Sequence, residues 1–125
     1  EHVKNFEGDC KLFFKHVSDG HRYGVGCFEE GIGLYEILEK PPNVSYAYAA
    51  IGVYIYSNKV FNLLKNVEPS YRGEREITSV NNLFLKSELK HTYCFIDGWW
   101  TDAGTMETYL LANRLVNNES KTNQA

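Results

Sequence analysis

Eleven consecutive residues, Tyr46 to Tyr56 (YAYAAIGVYIY), carry no charge and alternate between two kinds of side chain. In a strand, successive side chains point to opposite sides of the sheet. Ala47, Ala49, Ile51, Val53 and Ile55 then share one face, and Tyr46, Tyr48, Ala50, Gly52, Tyr54 and Tyr56 share the other. The run is too short for the roughly 20 residues of a membrane helix. It predicts a strand with its aliphatic face buried. The tyrosine face has a gap at Ala50 and Gly52 wide enough for a flat polar ring, although aromatic strand residues equally serve to pack a sheet under helices.

The remaining elements arrange themselves around that strand. CKLFFKHV (Cys10–Val17) reads as a strand, SDGHR as a turn, YGVGCFEE as a second strand, GIG as a turn and LYEILEK as a third strand, ended by Pro41 and Pro42. Three short strands in a row predict a partly antiparallel region. After the tyrosine strand, Ser57 is placed to cap a helix through NKVFNLLKNV, with Val60, Phe61, Leu63, Leu64 and Val67 at helical spacing and Pro69 as its stop. A second helix is expected from Glu74 or Arg75 to about Leu85, with Ile77, Val80, Leu83 and Phe84 inward. HTYCFI is a final strand, and Thr105 caps a last helix, METYLLANRLV. Residues 117–125 lack periodicity and are expected to form a mobile polar tail after a single domain at 1–116. Strands interleaved with helices give an α/β class with a mixed sheet and flanking helices.

Composition narrows the function. A chain of 125 residues, 43% hydrophobic and 23% charged, has room for one packed core. Its net charge of −3 and pI near 5.8 argue against nucleic acid or an anionic membrane as partner. Cys10, Cys27 and Cys94 are far apart and form no C-x-x-C pair, which fits a reducing cytoplasm rather than a disulfide framework or zinc site. His2, His16, His21 and His91 are scattered without metal-ligand spacing. The amino terminus has no secretion-signal pattern, and Met106 is the only methionine, so the chain is expected to be a piece of something longer.

Two short stretches carry candidate chemistry. In GWWTDAGT (Gly98–Thr105), Asp102 sits at a junction of strand, loop and helix, where open α/β sheets collect ligands. A carboxylate there can serve Mg²⁺, which takes one or two protein carboxylates and completes its shell with water and phosphate oxygens. It can equally cap the loop by accepting backbone N–H bonds. Glu39 and Lys40, before the double proline, offer an acceptor for sugar hydroxyls and a compact cation for a phosphate. They also read as a charged strand end that blunts edge pairing. Glu74 and Glu76, flanking Arg75 at a helix start, read as structural.

DGHRYGV (Asp19–Val25), EKP (Glu39–Pro41), YAAIGVYIY (Tyr48–Tyr56), RGEREITSVN (Arg72–Asn81) and WTDAGT (Trp100–Thr105) occur in an order that resembles the sugar nucleotidyltransferases. The glucose-1-phosphate thymidylyltransferases, also called dTDP-glucose pyrophosphorylases, are the nearest likeness. The resemblance reaches to about Leu115 and covers only the middle and later part of a full-length member. It implies part of a Rossmann-like nucleotidyltransferase fold. It also implies a Mg²⁺-dependent reaction in which glucose 1-phosphate and dTTP give dTDP-glucose and pyrophosphate.

On that resemblance Asp102 helps hold the metal and Trp100 lines the sugar and phosphate site. The Gly24 backbone contacts the sugar, Glu39 its hydroxyls, Lys40 the phosphate, and Tyr54 supplies the aromatic residue beside the sugar. Leu38, Ile51, Ser57 and Ser79 depart from the usual Glu, Thr, Asp and Asp. The family's Gly-rich G-x-G-T-R-L signature, its catalytic Arg and Lys and its other metal-binding Asp have no counterpart here, so no catalytic residue is assigned. The chain alone is expected to be nearly inactive, because phosphoryl transfer depends on positioning and charge neutralisation. The implied partners are a sugar 1-phosphate, a nucleotide sugar and further copies of the chain. Competing readings are a non-catalytic domain for sugar-phosphate binding or assembly, and, more weakly, a paired-carboxylate hydrolase.

Overall fold

Strand β1 (Cys10–Val17) has neighbours on both sides and organises the sheet. The computed structural model of the chain describes residues 3–70 and 72–122, with side chains through Asn118. After β1 and a 3-10 turn (Gly20–Arg22) come β2 (Gly24–Glu29), β3 (Gly33–Glu39), β4 (Ala47–Tyr56), α1 (Val60–Leu64), α2 (Ile77–Lys86), β5 (His91–Phe95) and α3 (Met106–Thr122). The sheet order is β3-β2-β4-β1-β5; β5 runs parallel to β1 and the other pairs are antiparallel. This is the expected mixed sheet with flanking helices.

The register of β4 on β1 decides which face is buried. Leu12 lies opposite Tyr54 and Phe14 opposite Ala50, so Ile51, Gly52 and Val53 together face the single residue Phe13. Such a bulge needs a residue that accepts an unusual backbone, and Gly52 supplies it with φ +73°. The slip is by two residues, so the alternation of faces survives. Cys10, Leu12 and Phe14, all fully buried, share their side of the sheet with Ala50, Tyr54 and Tyr56. They form the core with Leu34 and Ile37 of β3, Val67, and Val80 and Phe84 of α2.

The tyrosine face is therefore the one that packs under helices. Tyr56 stacks on Phe84 with ring centroids 5.3 Å apart. The expectation of a buried aliphatic face holds at Ala49, but Val53 is 50% exposed, because the bulge takes it out of the ladder.

Helix α2 is attached to β3 by polar side chains as well as apolar ones. The Ile37 N–H donates to Asn82 Oδ1 and Asn82 Nδ2 donates to the Ile37 carbonyl, each at 2.8 Å. The helix starts at Ile77, later than expected, since Gly73 has φ +76° and Glu76 is still extended. Arg72 pairs with Glu74 and Glu76 at 3.4 and 3.5 Å, in keeping with a structural role for those carboxylates.

Helix α1 is far shorter than its apolar spacing predicts, and Phe61 is 66% exposed. Ser57 does not cap it; its hydroxyl donates to Asp9, which also holds Lys59 at 2.9 Å. The start of α3 agrees with expectation. Thr108 N–H donates to Thr105 Oγ1 and Thr105 N–H donates to Thr108 Oγ1, a reciprocal cap. Once started, a helix adds one bond per residue, and α3 continues through Thr122. Most of the expected tail from 117 is thus helical, and 123–125 lie outside the described residues. Among the described residues no helix is long and apolar enough to cross a membrane.

Candidate functional site

The end of β3, the start of β2, the bulge of β4, the first turn of α2 and the loop before α3 close around a cavity of about 290 Å³. Gly24, Glu39, Lys40, Tyr54, Trp100 and Asp102, the six residues singled out from the sequence, all line it. Antiparallel pairing of Gly24 with Glu39 sets a bare backbone beside a carboxylate. Immediately after Glu39 the chain turns sharply: Lys40 has φ +42°, unusual for a residue with a side chain. Its N–H donates to the Tyr23 carbonyl at 3.0 Å, which fixes that turn before Pro41. Lys40 Nζ lies 3.9 Å from Glu39 Oε1, and Thr78 donates from Oγ1 to Glu39 Oε2 at 2.5 Å. Strain of this kind concentrates where a fold fixes a side chain for a purpose.

Across the cavity, Asp102 Oδ2 is 3.5 Å from Arg22 Nη2, while Arg22 Nη1 donates to Asp19 at 2.9 Å. Asp102 Oδ1 is buried and has no hydrogen-bond partner among the described residues. Tyr23 and Trp100 meet edge to face with centroids 5.3 Å apart. Lys15 holds the loop from the far side by donating to the carbonyls of Gly98 at 2.6 Å and Ile96 at 3.3 Å. Burial, with the Asp102 and Asp19 charges adding to it, raises the Tyr23 hydroxyl above its ordinary pKa. Burial and the Glu39 charge do the same for Tyr54. Both phenols are therefore neutral hydrogen-bonding groups near neutral pH. The bond to Asp19 is the largest influence holding Arg22 in its charged form.

The bare Asp102 oxygen is the observation that bears on a metal. A buried carboxylate oxygen without a partner is costly unless something fills its lone pairs. Among the described residues no group of three or more His, Cys, Asp or Glu side chains is placed to hold a metal ion. That donor set fits a hard cation taking one protein carboxylate plus water and phosphate oxygens, the habit of Mg²⁺, and does not fit a zinc cage.

Arg22, Tyr23, Thr78 and Ile77 also line the cavity and were not singled out from the sequence. Arg22 carried a signal, three residues after Asp19 in a turn. Thr78 lies within RGEREITSVN, but as a polar residue in an apolar helical pattern it was given no role. Ile51, where the resemblance would place Thr, lines the cavity as well.

The family model described as Nucleotidyl transferase matches residues 1–119. A low-salt glycan biosynthesis nucleotidyltransferase of Haloferax volcanii is 32% identical over 117 residues, covering 91% of this chain and 33% of that protein. A glucose-1-phosphate thymidylyltransferase of Neisseria gonorrhoeae is 33% identical over 98 residues, covering 78% of this chain and 34% of its own length. A solved structure from Bacillus anthracis, assigned as a glucose-1-phosphate thymidylyltransferase and in complex with sucrose, matches with a TM-score of 0.76 at 40% identity. That match covers 91% of this chain and 46% of the other. The chain spans about a third of the length of these curated relatives.

Proposed function

Because this chain belongs to the nucleotidyl transferase family and its relatives include glucose-1-phosphate thymidylyltransferases, we propose that its cavity is the sugar 1-phosphate subsite of such an enzyme. One observation supports the assignment above the rest: six residues from four separate segments converge on a single cavity. Glu39 accepts hydrogen bonds from sugar hydroxyls, and Lys40 meets the phosphate as a point charge. The Gly24 backbone lies close to the sugar, and Tyr54 and Trp100 form apolar walls that exclude water from it. Asp102 is the protein ligand for Mg²⁺, whose charge would offset the negative charge gathered by a sugar phosphate and a triphosphate. Arg22 keeps the Asp102 carboxylate turned towards the cavity.

In the proposed reaction a phosphate oxygen of glucose 1-phosphate attacks the α-phosphorus of dTTP. The bond from that phosphorus to the bridging oxygen breaks, and pyrophosphate leaves. Transfer of this kind is achieved by positioning and charge neutralisation. With one carboxylate, Asp102, left for a metal and two cations, Lys40 and Arg22, around the cavity, the 125-residue chain is expected to bind the sugar phosphate without turning it over. Calorimetric titration of glucose 1-phosphate with and without MgCl₂, on wild type and Asp102→Asn, tests the assignment. Magnesium should tighten binding to wild type and not to the variant; equal affinities in the presence of magnesium would remove Asp102 from the site. Pyrophosphate release from dTTP and glucose 1-phosphate by the pure chain would overturn the expectation of binding alone.

A further inference from the structure

Thr78 is the second residue of α2, is 6% exposed, and points a hydroxyl rather than a methyl-only surface at the end of β3. It donates to Glu39 Oε2. Two residues earlier on β3, Ile37 is held through both its N–H and its carbonyl by Asn82, four residues further along the helix. Positions four apart on a helix share a face, as do positions two apart on a strand. Helix and strand therefore meet in two matched rungs, Thr78 with Glu39 and Asn82 with Ile37. The second rung fixes the helix to the backbone of the strand; the first reaches a side chain that lines the cavity.

Gly24 shows how closely the first rung is fitted. A Cβ at that position would lie 3.1 Å from Thr78 Oγ1 and 3.6 Å from Glu39 Oε2. The space a side chain would use on β2 is filled by the Thr78–Glu39 pair. With Oε2 engaged, Oε1 is the carboxylate oxygen on the Lys40 side.

We infer that Thr78 is a positioning residue for sugar recognition: by holding Oε2 of Glu39 it presents Oε1 to a sugar hydroxyl beside the phosphate held by Lys40. This rests on the sugar 1-phosphate reading of the cavity. Without the donor, the carboxylate is free to rotate towards the Lys40 ammonium or water. Sugar recognition then weakens, while attraction of the bare phosphate to Lys40 persists.

The full 125-residue chain is titrated with glucose 1-phosphate and, separately, with inorganic phosphate, as wild type, Thr78→Val and Thr78→Ser. Valine keeps the volume and removes the donor; serine keeps the donor. A hydrogen bond to a charged group is strong enough that its loss should lower glucose 1-phosphate affinity about tenfold in Thr78→Val. Phosphate affinity should stay unchanged, and Thr78→Ser should retain wild-type binding of both. The ¹³Cδ resonance of Glu39 gives a readout independent of any ligand, and should move in Thr78→Val and remain near its wild-type position in Thr78→Ser. Wild-type glucose 1-phosphate affinity in Thr78→Val overturns the inference, as does equal loss of both ligands without rescue by serine. If wild type itself fails to bind glucose 1-phosphate, the subsite reading falls, and the resonance alone decides: an unmoved Glu39 signal in Thr78→Val shows that Thr78 does not set the carboxylate.

Discussion

Replacing Asn82 with Ala removes the side chain that stands in for a neighbouring strand along the outer edge of β3. Two hydrogen bonds of 2.8 Å go, and both belong to the backbone of Ile37, a residue only 2% exposed. A net contribution of about 1 kcal/mol per bond is usual, and a buried backbone group left unpaired costs about 1 to 3 kcal/mol. Water can enter the space vacated by the amide, which keeps the total near the low end, at about 2 kcal/mol. For a domain of this size that corresponds to a fall in Tm of about 8 °C, with a matching fall in the urea midpoint and no change in slope. Asn82→Asp is the informative companion. It keeps the acceptor for the Ile37 N–H but sets a carboxylate oxygen against the Ile37 carbonyl, so it should be no more stable than the alanine variant despite its similar shape. A midpoint within experimental error of wild type for Asn82→Ala would refute the claim that polar side chains fix α2 to β3.

Two further outcomes follow from buried and charged groups away from the cavity. The Asp9 carboxyl is held below its ordinary value of 3.8, first by its hydrogen bond with the Lys59 ammonium, with burial opposing and the Ser57 hydroxyl and Lys90 N–H assisting. A folded-state pKa below the unfolded one gives stability that is present above pH 3.8 and lost as the pH falls through the folded value. Urea midpoints should therefore drop below that pH more steeply in wild type than in Asp9→Asn; parallel curves would contradict the role of Asp9. Cys10 is fully buried, and burial, with the Asp9 charge adding to it, pushes its thiol up to about 12. At about pH 8 iodoacetamide should label the partly exposed Cys27 and Cys94 and leave Cys10 untouched until urea unfolds the chain, as read by peptide mass spectrometry. Labelling of Cys10 in the native protein at the rate of a free thiol would place it outside the core.

Strand positions were legible because their signals are local: alternation along β1 and β4, glycine turns between β2 and β3, and the double proline after Glu39. Thr105 was legible for the same reason, since a cap is written within four residues. Which face of β4 lies in the core was not local. Alternation separates two faces but leaves open what docks on either; the register against β1 and the packing of Phe84 of α2 on Tyr56 decide it. The hydroxyl of Ser57, free in sequence to cap a helix, is taken by Asp9, 48 residues away along the chain. Motif order located the cavity, yet no role was assigned to Thr78 and Asn81 within RGEREITSVN or to Asn82 just after it, because polar residues on an inward helix face look like interruptions of an apolar pattern. In the structure Thr78 holds Glu39 and Asn81 accepts a hydrogen bond from Tyr56, while Asn82 grips Ile37.

These contacts divide the cavity into two parts of different rigidity. Tyr54 stacks on Tyr56 at 5.9 Å, Tyr56 stacks on Phe84, and the Tyr56 hydroxyl donates to Asn81. The Tyr54 wall is thus the rim of the core, and the helix that braces it also carries Thr78 to Glu39. On the opposite side, Trp100 and Asp102 belong to a loop held by Lys15 at Gly98, by the Tyr23 ring and by Arg22. Dense packing resists displacement, whereas half-exposed ion pairs exchange readily with water and with other ions. The Glu39 and Tyr54 side therefore forms the fixed template. A cation at Asp102, as proposed, would displace Arg22, which lies 3.5 Å away and retains Asp19 as its partner at 2.9 Å. On the proposed reading, such an arrangement would let charge be rearranged beside a phosphate while the groups that would recognise the sugar stay where the core has put them.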